Sequence, residues 1–125
     1  MFFDQRDILV IDDSPGIRTF LNVSFGGVGA RIHEAPTADM GIKLFETVKP
    51  DVVILDLGLP DKDGLDLLPA LRAMHHNKNI TIIVLTVRND TYTRNKAIEF
   101  GANGYVTKPF MMEELYECLN ESVKN

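Results

Sequence analysis

The sequence predicts an α/β domain: a doubly wound parallel sheet of five strands in the order 2-1-3-4-5, with helices on both faces. Three observations carry this. Ile8–Ile11, Val52–Leu55 and Ile80–Leu85 are short apolar runs, rich in β-branched residues and without polar alternation, the mark of strands buried on both faces. Strand-like and helix-like segments alternate five times, as βαβ units joined by right-handed crossovers require. The most apolar strands are the first, third and fourth, which places them centrally. The switch point then falls between strands one and three, which end in Asp12-Asp13 and Asp56.

The elements follow in order. Ile8–Ile11 leads into Ser14, a helix N-cap, and Pro15, suited to the first helical position. Ile17, Phe20, Leu21 and Phe25 recur at helical spacing, and Gly26-Gly27 stops that helix. Arg31–Ala35 alternates and reads as a strand near the sheet edge. Thr37 caps a helix running to about Val48, with Met40, Leu44, Phe45 and Val48 inward, and Lys49-Pro50 ends it. After Val52–Leu55, the residues Gly58, Pro60 and Gly64 make a tight loop, and Asp63 caps a helix from about Gly64 to Met74. That helix turns Leu65, Leu68, Leu71 and Met74 to the core, and Pro69 within it predicts a kink or a late start. Ile80–Leu85 ends in Thr86. Asp90 caps a helix from about Thr91 to Phe100, closed by Gly101. Gly104–Thr107 is the fifth strand, and Lys108-Pro109-Phe110 turns into a last helix from Met111 to about Val123. That helix lacks a polar N-cap, although Glu113 and Glu114 suit its first turn.

At 125 residues the chain is one domain by size, residues 1–125 forming a single unit. Its net charge of −5 argues against direct nucleic-acid binding. One cysteine, Cys118, excludes an internal disulfide and suits a reducing compartment. With no signal peptide and no apolar run of membrane-spanning length, a cytoplasmic protein with no membrane contact is expected. His33, His75 and His76 are scattered and show no metal-ligand spacing.

Function is expected at the carboxyl edge of the sheet. A carboxylate ending a buried strand is costly unless it is neutralised or faces a cleft, and here Asp12, Asp13 and Asp56 converge on one edge. Thr86 ends the next strand, and Lys108 follows the fifth. Taken singly, each residue is as well explained by a turn acid, a strand-end hydroxyl or a solvated lysine. Together, at the ends of four different strands, they form a site. Three close carboxylates stay ionised only around a cation. With all-oxygen donors Mg²⁺ fits best. Carboxylates, a hydroxyl and an ammonium are the parts that hold a phosphoryl group, and a carboxylate can itself be the nucleophile.

On these residues, with Leu59-Pro60-Asp61-x-Asp63-Gly64 and Tyr105-x-x-Lys108-Pro109-Phe110, the chain resembles over its whole length the receiver domain of bacterial two-component response regulators. The resemblance implies a flavodoxin-like fold. It implies that Asp56 accepts a phosphoryl group from the phosphohistidine of a sensor histidine kinase or a phosphotransfer protein, and that the chain is not an enzyme beyond assisting its own phosphorylation and dephosphorylation. Asp13, Asp56 and the Gly58 carbonyl would bind Mg²⁺, with Asp12 assisting through water. Lys108 would pair with the phosphoryl group, across a cis bond to Pro109. Thr86 and Tyr105 would form a switch in which the Tyr105 ring turns in from the surface, changing the face made by the fourth helix, fifth strand and fifth helix. The output would be an unknown partner or a C-terminal effector domain outside this chain.

The chain departs from the family pattern at Val87, where a small residue is usual and a branched one is expected to narrow access to the phosphoryl site. It departs again at Asn103-Gly104 and Glu117, where winged-helix regulators carry charges that bridge a dimer; a monomer or weak phosphorylation-dependent dimer is expected. The alternatives are a pseudo-receiver that binds partners without phosphorylation and an aspartyl phosphatase. Pseudo-receivers usually lack an acid or the lysine, which are present here, and Ile11-Asp12-Asp13-Ser14 does not match the Asp-x-Asp of haloacid-dehalogenase-like enzymes.

Overall fold

A computed structural model describes residues 3–74 and 80–123. Its strands are β1 (Asp7–Ile11), β2 (Arg31–Ala35), β3 (Val52–Leu55), β4 (Thr81–Thr86) and β5 (Gly104–Thr107). The helices between and after them are α1 (Pro15–Gly26), α2 (Ala38–Val48), α3 (Gly64–Met74), α4 (Thr91–Glu99) and α5 (Met112–Val123). All strand pairs are parallel, in the order β2-β1-β3-β4-β5. The fold is the flavodoxin-like one expected.

Alternation along each central strand divides the core in two. Leu9, Ile11, Val53, Leu55, Ile82 and Val84 pack under α2, α3 and α4, against Phe45, Leu67, Leu68, Leu71 and Ala97. Ile8, Val10, Val52, Ile54, Ile83 and Leu85 face α1 and α5, against Leu21, Phe25, Leu115 and Leu119. Burying a side chain of this size stabilises by about 1.5–3 kcal/mol, so both layers fix the sheet.

Several local expectations hold. The Ser14 hydroxyl accepts from the Ile17 N–H, and Pro15 opens α1. The Thr37 and Asp90 side chains accept from the Met40 and Thr93 N–H groups as N-caps of α2 and α4. Asp63 accepts from the Leu65 N–H at the start of α3, and Pro69 lies within that helix. Where α5 lacks a polar cap, the Glu114 side chain reaches back and accepts from the Met111 N–H at 3.0 Å. The Lys108–Pro109 bond is cis.

Other expectations are corrected. Phe20 is exposed, with its ring edge against Phe110, and the inward residues of α1 are Leu21 and Phe25. Met40 is also exposed. The inward position beside it is Gly41, where a Cβ would lie 2.7 Å from Ile11 Cδ1, and a residue chosen for having no side chain gives no hydrophobic signal. In α3, Leu67 joins Leu68 and Leu71 in the core, while Leu65 is half-buried. His75 and His76 lie outside the described residues.

Candidate phosphoacceptor site

The site forms where β1, β3, β4 and β5 end. Asp12 follows β1, and its N–H continues the ladder by donating to the Ala35 carbonyl. Asp56 follows β3 and donates in the same way to Ile11. The chain then reverses sharply. The Gly64 N–H donates to the Leu57 carbonyl at 2.8 Å, and a Cβ on Gly64 would lie 2.6 Å from the Asp56 carbonyl oxygen. Only glycine lets α3 start that close to the acid-bearing turn.

One carboxylate oxygen from each of Asp12, Asp13 and Asp56 lies within 4.8 Å of the others. Asp12 is 2% and Asp56 7% exposed, while Asp13 stands open to solvent. The Lys108 ammonium, on a side chain 13% exposed, lies 2.8 Å from Asp12 Oδ2 and 3.3 Å from Asp56 Oδ2. The other Asp12 oxygen accepts from the Ser14 N–H at 2.9 Å, and Arg18 donates to the Asp12 carbonyl. Both Asp12 oxygens are thus engaged. The Asp13 carboxylate has no hydrogen bond or ion pair among the described residues.

Burial pushes the Asp12 carboxyl above the usual carboxylate range, and the bonds from Lys108 and Ser14 offset this only in part. Burial also works against the Lys108 charge, but the bond to Asp12 and the charges of Asp12 and Asp56 outweigh it and raise the ammonium above its ordinary value. The two directions are compatible because the lysine sees two carboxylates, whereas Asp12 faces Asp56 as well as the lysine. Four charges here sum to a net negative pocket made of oxygen donors. Such a set fits a hard divalent cation, and Mg²⁺ above others, because it accepts few protein carboxylates and retains waters.

The remaining expected residues lie on or just after β3, β4 and β5. The Gly58 N–H donates to Asp56 Oδ1 at 3.3 Å, and Gly58 is exposed with open space beside it. Thr86 is the buried last residue of β4, and its carbonyl accepts from the Lys108 N–H. Val87, next to it, is largely in solvent. Tyr105 requires correction: its ring is not at the surface but 8% exposed, its hydroxyl donates to the Arg88 carbonyl at 2.8 Å, and the Arg94 guanidinium lies 5.6 Å from the ring centre.

Sequence reasoning missed two further groups. Arg88 pairs with Asp63 at 3.3 Å, linking the β4–α4 segment to the loop after Asp56. The Asp61 carboxylate accepts from the Ala38 and Asp39 N–H groups of α2, which hold it below the usual carboxylate range. Neither has a local signal, because each partner is more than 20 residues away.

The response regulator receiver domain family matches residues 8–120. The KDP operon transcriptional regulatory protein KdpE of Escherichia coli (strain K12) is 36% identical over 120 residues, 96% of this chain and 52% of that protein. The chain thus spans about half the length of the curated relatives it matches. A CheY-like receiver domain protein of Methanospirillum hungatei JF-1 superposes with a TM-score of 0.88 at 23% identity, covering 97% of this chain and 95% of that one, which speaks for the fold. A response regulator protein of Burkholderia pseudomallei, solved with a phosphorylated aspartic acid, calcium ion and citrate, has a TM-score of 0.87 at 27% identity, covering 96% of this chain and 69% of that one. No described helix is long and apolar enough to cross a membrane. With the fold, the acidic edge and the family match over nearly its whole length, the chain belongs to the response regulator receiver domain family.

Proposed function

We propose that this chain is a phosphoacceptor switch in which Asp56 takes a phosphoryl group from the phosphohistidine of a sensor histidine kinase or phosphotransfer protein. The observation that carries the reading is the nearly buried Asp56 carboxylate, with the Lys108 ammonium 3.3 Å away and two further carboxylates within 4.8 Å. An Asp56 oxygen forms the new bond to phosphorus as the phosphorus–nitrogen bond of phosphohistidine breaks and the imidazole leaves. Water later cleaves the acyl phosphate and restores the carboxylate. Lys108 supplies a positive charge to the phosphoryl oxygens and stays protonated, held so by Asp12 and Asp56. Asp13, Asp56 and the Gly58 carbonyl would hold Mg²⁺, with Asp12 assisting through water. When bound, the ion neutralises phosphoryl oxygens as charge shifts among them. The Burkholderia pseudomallei relative, with its phosphorylated aspartic acid and calcium ion, supports the same chemistry here.

Readout runs through Thr86 and Tyr105. A phosphoryl group on Asp56 draws the Thr86 hydroxyl toward it, and the inward Tyr105 ring, bonded to the Arg88 carbonyl, fills the space beside it. Since the ring already lies inward here, the switch is the strength with which that position is held. The reading carries with it a cytoplasmic location and action on the chain itself rather than on a released substrate.

Mg²⁺-dependent reaction with acetyl phosphate tests the reading. A lasting adduct, absent in Asp56→Asn, is expected. No adduct would favour a pseudo-receiver, and rapid turnover of the donor a phosphatase. For the readout, beryllofluoride should shift amides over residues 91–123 in the wild type and much less in Thr86→Ala; a full wild-type pattern in that variant would remove Thr86 as transmitter.

A further inference from the structure

We propose that Asp61 is a positioning residue for the phosphoacceptor loop: by gripping the start of α2 it fixes the segment that carries Gly58, and so sets how tightly the acidic pocket holds Mg²⁺. The inference rests on the phosphoacceptor reading of Asp56.

Asp61 Oδ1 accepts from the Ala38 N–H at 2.8 Å and Oδ2 from the Asp39 N–H at 2.9 Å. The next residue reinforces the grip, with Lys62 Nζ 3.2 Å from Asp39 Oδ1. Helix α2 already has a cap of its own in Thr37, which serves the Met40 N–H. The two amides that Thr37 leaves, at the buried Ala38 and the exposed Asp39, have no intrahelical partner. A carboxylate from 23 residues further along the chain takes them instead. Charge-assisted bonds at a helix N-terminus are among the stronger surface contacts.

The consequence lies in the loop. Its far end is fixed by the Gly64 N–H bond to Leu57, by the bridge between Gly58 and Asp63, and by the Asp63–Arg88 pair. Asp61 fixes its outer side. Without Asp61, the stretch Gly58-Leu59-Pro60 loses the Asp61 tie to α2 and keeps the contacts at its base and the packing of the half-buried Leu59. A glycine with open space beside it has a wide choice of backbone angles, so the direction of its carbonyl depends on what anchors the residues that follow. Groups that orient a ligand without touching the ion commonly change metal affinity by about 10–100-fold.

The test is titration of ¹⁵N-labelled chain with MgCl₂, following Gly58, Ala38 and Asp39 amides. In the wild type the three should titrate with one Kd. In Asp61→Ala the Kd should weaken by about tenfold, and the α2 amides should no longer follow Gly58; Asp61→Asn, which keeps one acceptor oxygen, should fall between. Thr37→Ala removes the helix's own cap and controls for simple loss of α2 stability; its Kd should stay within about twofold of the wild type. A wild-type Kd in Asp61→Ala overturns this inference alone, as does an equal loss in Thr37→Ala. A wild-type chain that takes no Mg²⁺ overturns the phosphoacceptor reading and this inference with it.

Discussion

Asp13→Asn should make the chain more stable without Mg²⁺ and less stable with it. Asp13 is the exposed member of three carboxylates whose oxygens lie within 4.8 Å of one another, and the described residues give it no compensating cation. At 4.8 Å a like-charge pair costs about 0.9 kcal/mol at the dielectric of water and about 3.5 kcal/mol at an effective value of 20. Asp13 faces solvent, so the lower figure governs its two pairs, with Asp12 and Asp56. Removing them should gain about 1–2 kcal/mol, on the order of 5 °C in Tm. Mg²⁺ binding to the native state adds about 2.7 kcal/mol at a hundred times its Kd, which the asparagine variant should largely forfeit. Urea unfolding of both proteins, in chelator and in excess MgCl₂, should therefore show stability curves that exchange order. A variant less stable than the wild type in chelator would mean that Asp13 has a structural partner. A variant stabilised by Mg²⁺ as much as the wild type would mean that the cation sits elsewhere.

Three other expectations follow from named contacts. Lys108→Met leaves Asp12 and Asp56 buried without their ammonium and should cost about 3–5 kcal/mol in chelator by urea unfolding. That loss should shrink as pH falls: burial already raises Asp12, so above the unfolded value the native state binds more protons than the unfolded chain, and stability falls as pH rises. At the other end of the sheet, the Arg31 hydrogen bond outweighs burial and, with His33, holds the Asp7 carboxyl down to about 2; the stability it adds is complete above about pH 4 and lost toward about pH 2. Asp7→Asn should flatten the urea-midpoint profile in that window by about 1 kcal/mol, since the pair is partly in water. Finally, sedimentation should show a monomer, or at most a weak dimer, without a phosphoryl group. Asn103 is occupied by the Ile82 N–H and Arg72, and α5 carries Glu113, Glu114, Glu117 and Glu121 with no basic residue. A Cβ on Gly104 would meet the Cys118 sulfur and Ile83 Cδ1, so an acid there would require those side chains or α5 to move.

The sequence made the sheet and the pocket readable because both depend on short-range patterns. Unalternated apolar runs mark strands buried on two faces, and once their order is fixed, residues at strand ends must meet. Asp12, Asp13, Asp56 and Lys108 were found that way, without any contact being known. Three kinds of feature stayed hidden. Inward positions filled by small residues, such as Gly41 against Ile11, leave no hydrophobic mark. Rings at a partly covered rim, such as Phe20, fit helical spacing yet remain in water. Contacts between loops, Asp61 to α2 and Asp63 to Arg88, follow from how βαβ units pack and have no periodicity. Phe3 belongs here too: it lies before any strand, yet packs on Phe25 and Tyr116 in the α1–α5 layer.

How a small event at Asp56 could reach a distant face depends on which part is least firmly held. Helix α3 buries Leu67, Leu68 and Leu71, and α5 buries Leu115 and Leu119, whereas α4 buries only Thr93 and Ala97. The segment leading into α4 is held by the half-exposed Arg88–Asp63 pair and by the Tyr105 hydroxyl on the Arg88 carbonyl. An exposed pair contributes about 0–1 kcal/mol, and a hydrogen bond about 0.5–1.5 kcal/mol. A charged phosphoryl group bonded to the Thr86 hydroxyl, as proposed, would contribute about 1.5–3 kcal/mol, a match for those restraints and far less than the burial beneath α3 or α5. Thr86 is the residue immediately before that weakly held segment. On that proposal the energy at the strand end would be of a size to reposition residues 87–99 and too small to disturb the layers on either side. Arg88→Ala isolates this step: it removes the Asp63 pair but keeps the carbonyl that holds Tyr105. Hydrogen exchange over residues 91–99 should then quicken while exchange in α3 and α5 stays unchanged. Equal quickening in α3 would show that α4 does not move on its own.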